Sequence, residues 1–343
     1  MKSVLLIGAG HAHAVVLRSL AKTPLYGARI TLVTPEPTQL YSGMVPGVIA
    51  GHYRRAEAEI DFTRLAQLAY ADLVASAVRR IDAEQRLAIL ADGSELGYDF
   101  VSLDVGSLID TSIPGSREHA LPARPFENFL DRLGDARLIA LAGGGAAGAE
   151  LAMALAYRGA AVTLYSDKPA FAPTVEQRIA AALRRARVDY RRGMPVDAVE
   201  AGPVVRSGAS RQEFDLVVLT TGAAAPAWSA ESGLETDAEG FVRVHDTLQS
   251  VSHPEVFAVG DCASLRPKSG VYAVRQGAAL FENLVAAVKA QAPKDYRAPR
   301  RALSLISCGS RSAVATWGEW SARGRWVWYL KDWIDRRWIA KFR

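Results

Sequence analysis

A chain of 343 residues, half of them hydrophobic and 22% charged, has apolar material for two cores or more. No apolar run approaches the roughly 20 residues of a spanning helix, and Met1 to Gly10 is too short for a signal peptide and runs straight into a glycine turn. With only Cys262 and Cys308, a disulfide framework is excluded, so the expectation is a cytoplasmic protein in a reducing compartment. The net charge of +5 is uneven: residues 291–343 carry 12 Lys/Arg against 4 Asp/Glu, and the preceding 290 residues are net acidic. A basic balance alone gives nucleic-acid binding little support. The six histidines show no paired spacing with acids or cysteines, so no metal site is expected.

The first element is "SVLLIGAGHAHAVVLRSLA", an apolar strand, a glycine turn and a helix. Gly8 and Gly10 suit the turn and close approach of a dinucleotide-binding loop. His13 stands where a third glycine is usual, but Ala14 follows, giving the longer G-x-G-x-x-x-A spacing. His11 and His13 then fall in the first helical turn, where the dipole favours neutral imidazole. His11 either donates to a phosphate or lines one side of a cofactor cleft, or else caps a turn; His13 packs in the helix–sheet seam.

A second strand, "ARITLVTP", ends at Thr34, the slot where an acid would hold a ribose. Glu36 lies two residues later and either takes that role or sits in a turn stiffened by Pro35 and Pro37. "YDFVSLDVGS" then reads as an aromatic, an aspartate, a buried strand and a late glycine, Gly106, followed by Ser107.

The plan then repeats. "LIALAGGGAAGAELAMALA" places Gly143, Gly145 and Gly148 in full G-x-G-x-x-G spacing between a strand and a helix. "AAVTLYSD" puts Ser166 in the ribose slot with Asp167 beside it; a carboxylate there weakly favours NADH, while Lys168 and Arg178 keep NADPH open. "FDLVVLTTGA" repeats the aromatic, aspartate and late glycine, Gly222. "RRARVDYRR" reads as a solvated helix end. Two βαβ-based nucleotide domains, one nested in the other, are expected in an α/β protein with parallel sheets. The boundaries are 1–115 and 236–290 for an outer domain, 116–235 for an inner one, and 291–343 for a C-terminal α+β or helical extension.

"GFVRVHDTLQSVSHPEVFAVGDCASL" resembles the FAD-closing motif of the pyridine nucleotide-disulfide oxidoreductase superfamily. The resemblance covers roughly residues 2–290 and is nearest the branch with type II NADH dehydrogenases and sulfide:quinone oxidoreductases. "YSGMVPGVIAGHY", "SLDVGS" and "VYAVRQG" resemble the flavoprotein module N-terminal to some selenide, water dikinases, of which this would be a stand-alone version. The resemblance implies FAD in the outer domain and NAD(P)H in the inner one. It assigns Gly260 and Asp261 to the ribityl chain, and Ala273 to the first turn of a helix aimed at the flavin. By the same likeness, Glu150 orients the nicotinamide or relays a proton, and Gln276 meets a quinone carbonyl or the flavin pyrimidine. Type II enzymes carry a second glutamine where Arg275 stands here. Asp104 replaces an alanine usual in relatives and needs a structural partner or serves as a proton relay.

The redox C-x4-C of the disulfide reductases is missing from "YSGMVPG", Tyr41 to Gly47. Cys262 reads as a small packing residue, and Cys308 has no identifiable partner. The implied activity is therefore hydride transfer from NAD(P)H to FAD, with direct delivery to a quinone or similar acceptor. A reductase of selenium or sulfur metabolism, or a flavin-binding sensor without turnover, are the competing readings.

Finally, "GRWVWYLKDWIDRRWIAKFR" reads as an amphipathic helix. Trp326, Val327, Leu330, Trp333, Ile334 and Trp338 form the expected apolar face, and Lys331, Asp332, Asp335, Arg336 and Arg337 the opposite one. Tryptophan flanked by Lys/Arg suits a membrane surface, which would make the protein peripheral on the inner face. A helix packed on the flavin domain, or a homodimer contact, is the alternative.

Overall fold

The computed structural model describes residues 1–343. Its first sheet begins with β1 (Lys2–Ile7), β2 (Ala28–Val33), β3 (Asp72–Val74) and β4 (Phe100–Leu103), all parallel. The helix α1 (His11–Lys22) crosses from β1 to β2. The second sheet holds β5 (Leu121–Pro122), β6 (Leu138–Ala142), β7 (Ala161–Ser166), β8 (Asp189–Arg192) and β9 (Leu216–Leu219), again all parallel, in the order β5-β9-β6-β7-β8. The helix α2 (Ala146–Tyr157) joins β6 to β7. The chain then returns to the first sheet and adds β10 (Val256–Ala258) beside β4, giving the order β10-β4-β1-β2-β3. Both sheets therefore share one central arrangement: late strand, glycine strand, second strand, third strand.

The central strands are apolar over their buried stretches because both faces are covered there. Val4 and Leu6 of β1 enter one core while Leu5 and Ile7 enter another; Ile139 and Leu141 of β6 alternate with Ala140 and Ala142 in the same way. The repeated aspartate has a shared task. Asp99 accepts the Ser3 N–H at 2.7 Å, and Asp215 accepts the Arg137 and Leu138 N–H groups at 2.8 Å, so each pins the start of its glycine strand.

After β10 comes α3 (Gly270–Val288), which packs along α1. A Cβ on Gly277 would lie 2.7 Å from the Ala12 carbonyl oxygen, so glycine is what lets the two helices touch. Leu17, Leu20, Leu280 and Leu284 are buried in the surrounding core, each worth ~1.5–3 kcal/mol. The C-terminal segment is an antiparallel sheet of β11 (Ser304–Cys308), β12 (Ser310–Trp317) and β13 (Trp320–Gly324), followed by α4 (Arg325–Ile339). β11 packs on α2, where Gly309 at φ +73° brings the chain against the Met153 carbonyl.

The faces of α4 differ from the expected ones. Val327, Trp328, Lys331, Asp335, Trp338 and Ile339 point inward, while Trp326, Tyr329 and Trp333 are exposed. Lys331 and Asp335 tolerate burial because each neutralises the other, with Nζ 2.6 Å from Oδ2. Apolar periodicity groups Trp326, Trp333 and Trp338 on one face; the ion pair turns Trp326 and Trp333 outward instead. No helix is long and apolar enough to cross a membrane.

Candidate functional site

The two glycine turns lie at the carboxyl ends of the strands of the two sheets and mark one candidate cleft each. In the first, Gly8 adopts φ +94°, and a Cβ there would overlap the Asp104 backbone. Gly10 is the extended N-cap of α1 and supplies no side-chain cap. Its Cα lies against the Asp104 carboxylate, which a Cβ would strike. That carboxylate accepts the His13 N–H at 2.9 Å and also that of Ala12, so Asp104 caps α1 from 91 residues away. Burial pushes Asp104 up to about 6, against the opposing pull of those N–H groups.

His13 is wholly buried in the seam. Its Nδ1 lies 2.6 Å from the Gly8 carbonyl and its Nε2 2.9 Å from Ser102 Oγ. Desolvation lowers it to about 4, so the imidazole is neutral. His11 Nε2 is buried without a hydrogen-bond partner. It faces the start of α3, where a Cβ on Gly270 would lie 3.5 Å away. Burial lowers the His11 pKa as well.

The 260–262 turn completes this cleft. Gly260 takes φ +66°, and its N–H is accepted by Gln276 Oε1 at 2.6 Å. Gln276 is 3% exposed, and its side-chain oxygen secures the turn from behind while its amide NH2 is not used in that bond. Asp261 Oδ2 accepts from Arg124 at 2.9 Å, and the same guanidinium donates to Ser107 Oγ at 3.3 Å. Gly106, at φ +68°, has open space beside its Cα, and Ala273 is buried in the first turn of α3. Thr34 is buried and donates to the Glu36 carbonyl at 3.1 Å, leaving the Glu36 side chain in solvent. The orphaned His11 nitrogen, the α3 N-terminus without a side-chain cap, and glycines with no room for Cβ fit a phosphate-bearing dinucleotide such as FAD.

In the second cleft, Gly143 takes φ +120°, and a Cβ there would overlap the Thr220 carbonyl; one on Gly148 would overlap the Gly143 carbonyl. Gly145 is the uncapped N-cap of α2, and both it and Gly222 border open space. Asp167 is exposed, its Oδ1 accepting the neighbouring Lys168 N–H at 2.8 Å.

Sequence reasoning named His11 and Glu150 but missed the cluster that joins them between the clefts. Glu150 Oε1 accepts the Ser307 N–H of β11 at 2.7 Å. Surrounding protein pushes its carboxyl up to about 7, with Lys331 pulling the other way. Lys331 Nζ donates to the Gly43 carbonyl and to Asp335, both at 2.6 Å. Tyr41 hydrogen-bonds Asp335, and its ring centroid lies 5.4 Å from that of His11. His11, Tyr41, Asp335, Lys331 and Glu150 thus link the two clefts. For Lys331 and Asp335 the i,i+4 spacing was the only signal. Arg124 carried no signal. Both cysteines are free and buried, with thiols pushed up to about 12 by desolvation. No three His, Cys, Asp or Glu side chains gather where they could hold a metal ion.

Comparisons with known proteins place the chain in a family and a fold. The ferroptosis suppressor protein 1 of Taeniopygia guttata is 27% identical over 288 residues, covering 76% of each chain. The nitric oxide reductase FlRd-NAD(+) reductase of Aeromonas salmonicida is 30% identical over 292 residues, 77% of this chain and 71% of that one. The sulfide:quinone oxidoreductase of Aquifex aeolicus superimposes with a TM-score of 0.82 at 16% identity, covering 100% of this chain and 92% of that one, which establishes a common fold. Residues 2–277 match the family described as Pyridine nucleotide-disulphide oxidoreductase. The chain belongs to that family, and it is an FAD-dependent NAD(P)H oxidoreductase.

Proposed function

We propose that this enzyme passes electrons from NAD(P)H through FAD straight to a quinone or a similar small acceptor, with no cysteine relay. The observation that carries the reading is the 41–47 turn beside His11, which presents Tyr41 where a dithiol would be needed, while both thiols of the chain are buried and protonated. FAD, when bound, supplies the two-electron carrier that accepts hydride and gives up electrons in a separate step.

The chain's residues supply binding and proton management. Gly8, Gly10, His11, Gly106, Ser107, Gly260, Asp261 and Ala273 hold FAD, with Thr34 and the backbone of Glu36 shaping the ribose end. Gly143, Gly145, Gly148 and Gly222 receive NAD(P)H, and Asp167 disfavours a 2′-phosphate. Glu150 holds a proton near neutral pH, and Lys331 beside it fixes the local charge. Quinone reduction consumes two protons, and a titrating carboxyl between the clefts is placed to deliver one. The exposed Trp326, Tyr329 and Trp333 of α4, with Arg337 on the same helix, support a peripheral membrane contact that would bring a lipid-soluble acceptor within reach.

The test is anaerobic. NADH should bleach the flavoprotein, and a ubiquinone analogue should restore its colour faster than disulfide, sulfide or selenium compounds do. Recovery only with a sulfur or selenium acceptor would replace the quinone; no bleaching with NADH or NADPH would leave a sensor.

A further inference from the structure

Asp104 is 4% exposed and sits at the centre of the first cleft. Its carboxylate spans the N-terminus of α1, taking the His13 and Ala12 N–H groups, and reaches the closing turn, where a Cβ on Gly260 would lie 2.7 Å from Oδ1. The same helix end is where the proposed reading above seats the FAD diphosphate, and this inference rests on that reading. Two anions cannot share one helix terminus in a buried site without a large repulsion.

We propose that Asp104 takes a proton from solvent when FAD binds, so that a neutral carboxyl group keeps its place beside the diphosphate and the cofactor is released as pH rises. The surrounding charges make Asp104 the group that yields. On α1, His13 is engaged by Gly8 and Ser102, and His11 has its Nε2 unpartnered. On the closing turn, Asp261 is neutralised by Arg124, Cys262 is a buried thiol, and Lys268 Nζ donates to the Asp261 carbonyl at 2.8 Å. None of these cations pairs with Asp104, whose only hydrogen-bond donors are backbone amides. Without FAD, burial already lifts its pKa to about 6, so at pH 7 it is mostly ionised and able to take up a proton. A diphosphate lifts it further. Binding coupled to one proton weakens tenfold per pH unit between the two pKa values.

The experiment follows FAD release from the flavoprotein by flavin fluorescence on dilution, from pH 6 to 8. Calorimetric rebinding of FAD in two buffers of different ionisation heat then counts protons. The expected result is a dissociation constant that rises about fiftyfold across the range, with about one proton taken up at pH 7. Asp104→Asn, which keeps the neutral shape, should flatten the dependence and bind more tightly than the parent at pH 8. His11→Asn should leave the slope in place. A flat profile with no proton uptake in the unaltered chain overturns the inference while leaving the FAD site intact. A slope lost in His11→Asn and kept in Asp104→Asn assigns the proton to the imidazole and overturns it as well. A chain that binds no FAD at any pH sinks the underlying site assignment instead.

Discussion

Lys331 and Asp335 form a buried ion pair one helical turn apart, with 2.6 Å between Nζ and Oδ2, and the same ammonium reaches the Gly43 carbonyl nearly 290 residues upstream. The C-terminal helix is thereby keyed into the turn that borders both nucleotide clefts. Two carboxyls, Asp335 and Glu150, depend on this one cation.

Lys331→Met should leave both carboxyls unbalanced. Breaking one partner of a buried pair costs ~3–5 kcal/mol, whereas replacing both by apolar groups is close to neutral. Chemical denaturation of the flavoprotein should show that loss for Lys331→Met, and most of it regained in Lys331→Met with Asp335→Leu. Equal losses in the single and double variants would mean the pair does not bind the helix to the turn.

The Glu150 carboxyl, raised to about 7, gives a pH signature. A carboxyl whose folded pKa lies above its unfolded value stabilises the fold at pH below about 4.5, and that contribution is lost as pH rises through 7. The turnover limb that needs its proton should fall across the same window. Glu150→Gln should lower kcat with a quinone acceptor by about 10²-fold and remove that limb, while NADH bleaching of the flavin persists. A limb near pH 7 surviving in Glu150→Gln would place the proton elsewhere.

Cys262→Ala with Cys308→Ser tests the absence of a relay. Both thiols are buried and pushed up to about 12, so neither is a thiolate at neutral pH. Steady-state turnover of the double variant should stay within about twofold of the parent. A collapse of turnover with normal folding and normal flavin content would bring sulfur chemistry back.

The outward tryptophans address membrane contact. Trp326 and Trp333 are each 57% exposed on α4. The protein should pellet with vesicles containing anionic lipid, more weakly at high salt, and Trp326→Glu with Trp333→Glu should abolish pelleting without changing turnover of a water-soluble quinone. Equal sedimentation of parent and variant would assign that face to another use.

The architecture was legible wherever local chemistry decides structure. Strand stretches covered on both faces must be apolar, which made residues 4–7 of β1 and 139–142 of β6 legible, and the aromatic–aspartate repeat marked the clamps made by Asp99 and Asp215. Positions decided by distant partners were not legible. His13 stands where glycine is usual because Ser102 receives it, 89 residues away. The oxygen of Gln276 holds the Gly260 amide, which no periodicity reveals. The faces of α4 were misread because a hydrophobic pattern counts every charge as solvent-seeking, and Gly43 together with an internal counter-ion makes Lys331 an exception.

The interrupted first sheet also governs the order in which the molecule can be made. β10 and α3 reach their places beside β4 and α1 only after the whole second sheet has been synthesised. During translation the inner lobe can finish while the outer one still shows a bare strand edge and an uncovered helix flank, surfaces that invite mispairing. A nascent chain stalled before residue 256 should therefore lean on chaperones far more than one released after residue 288.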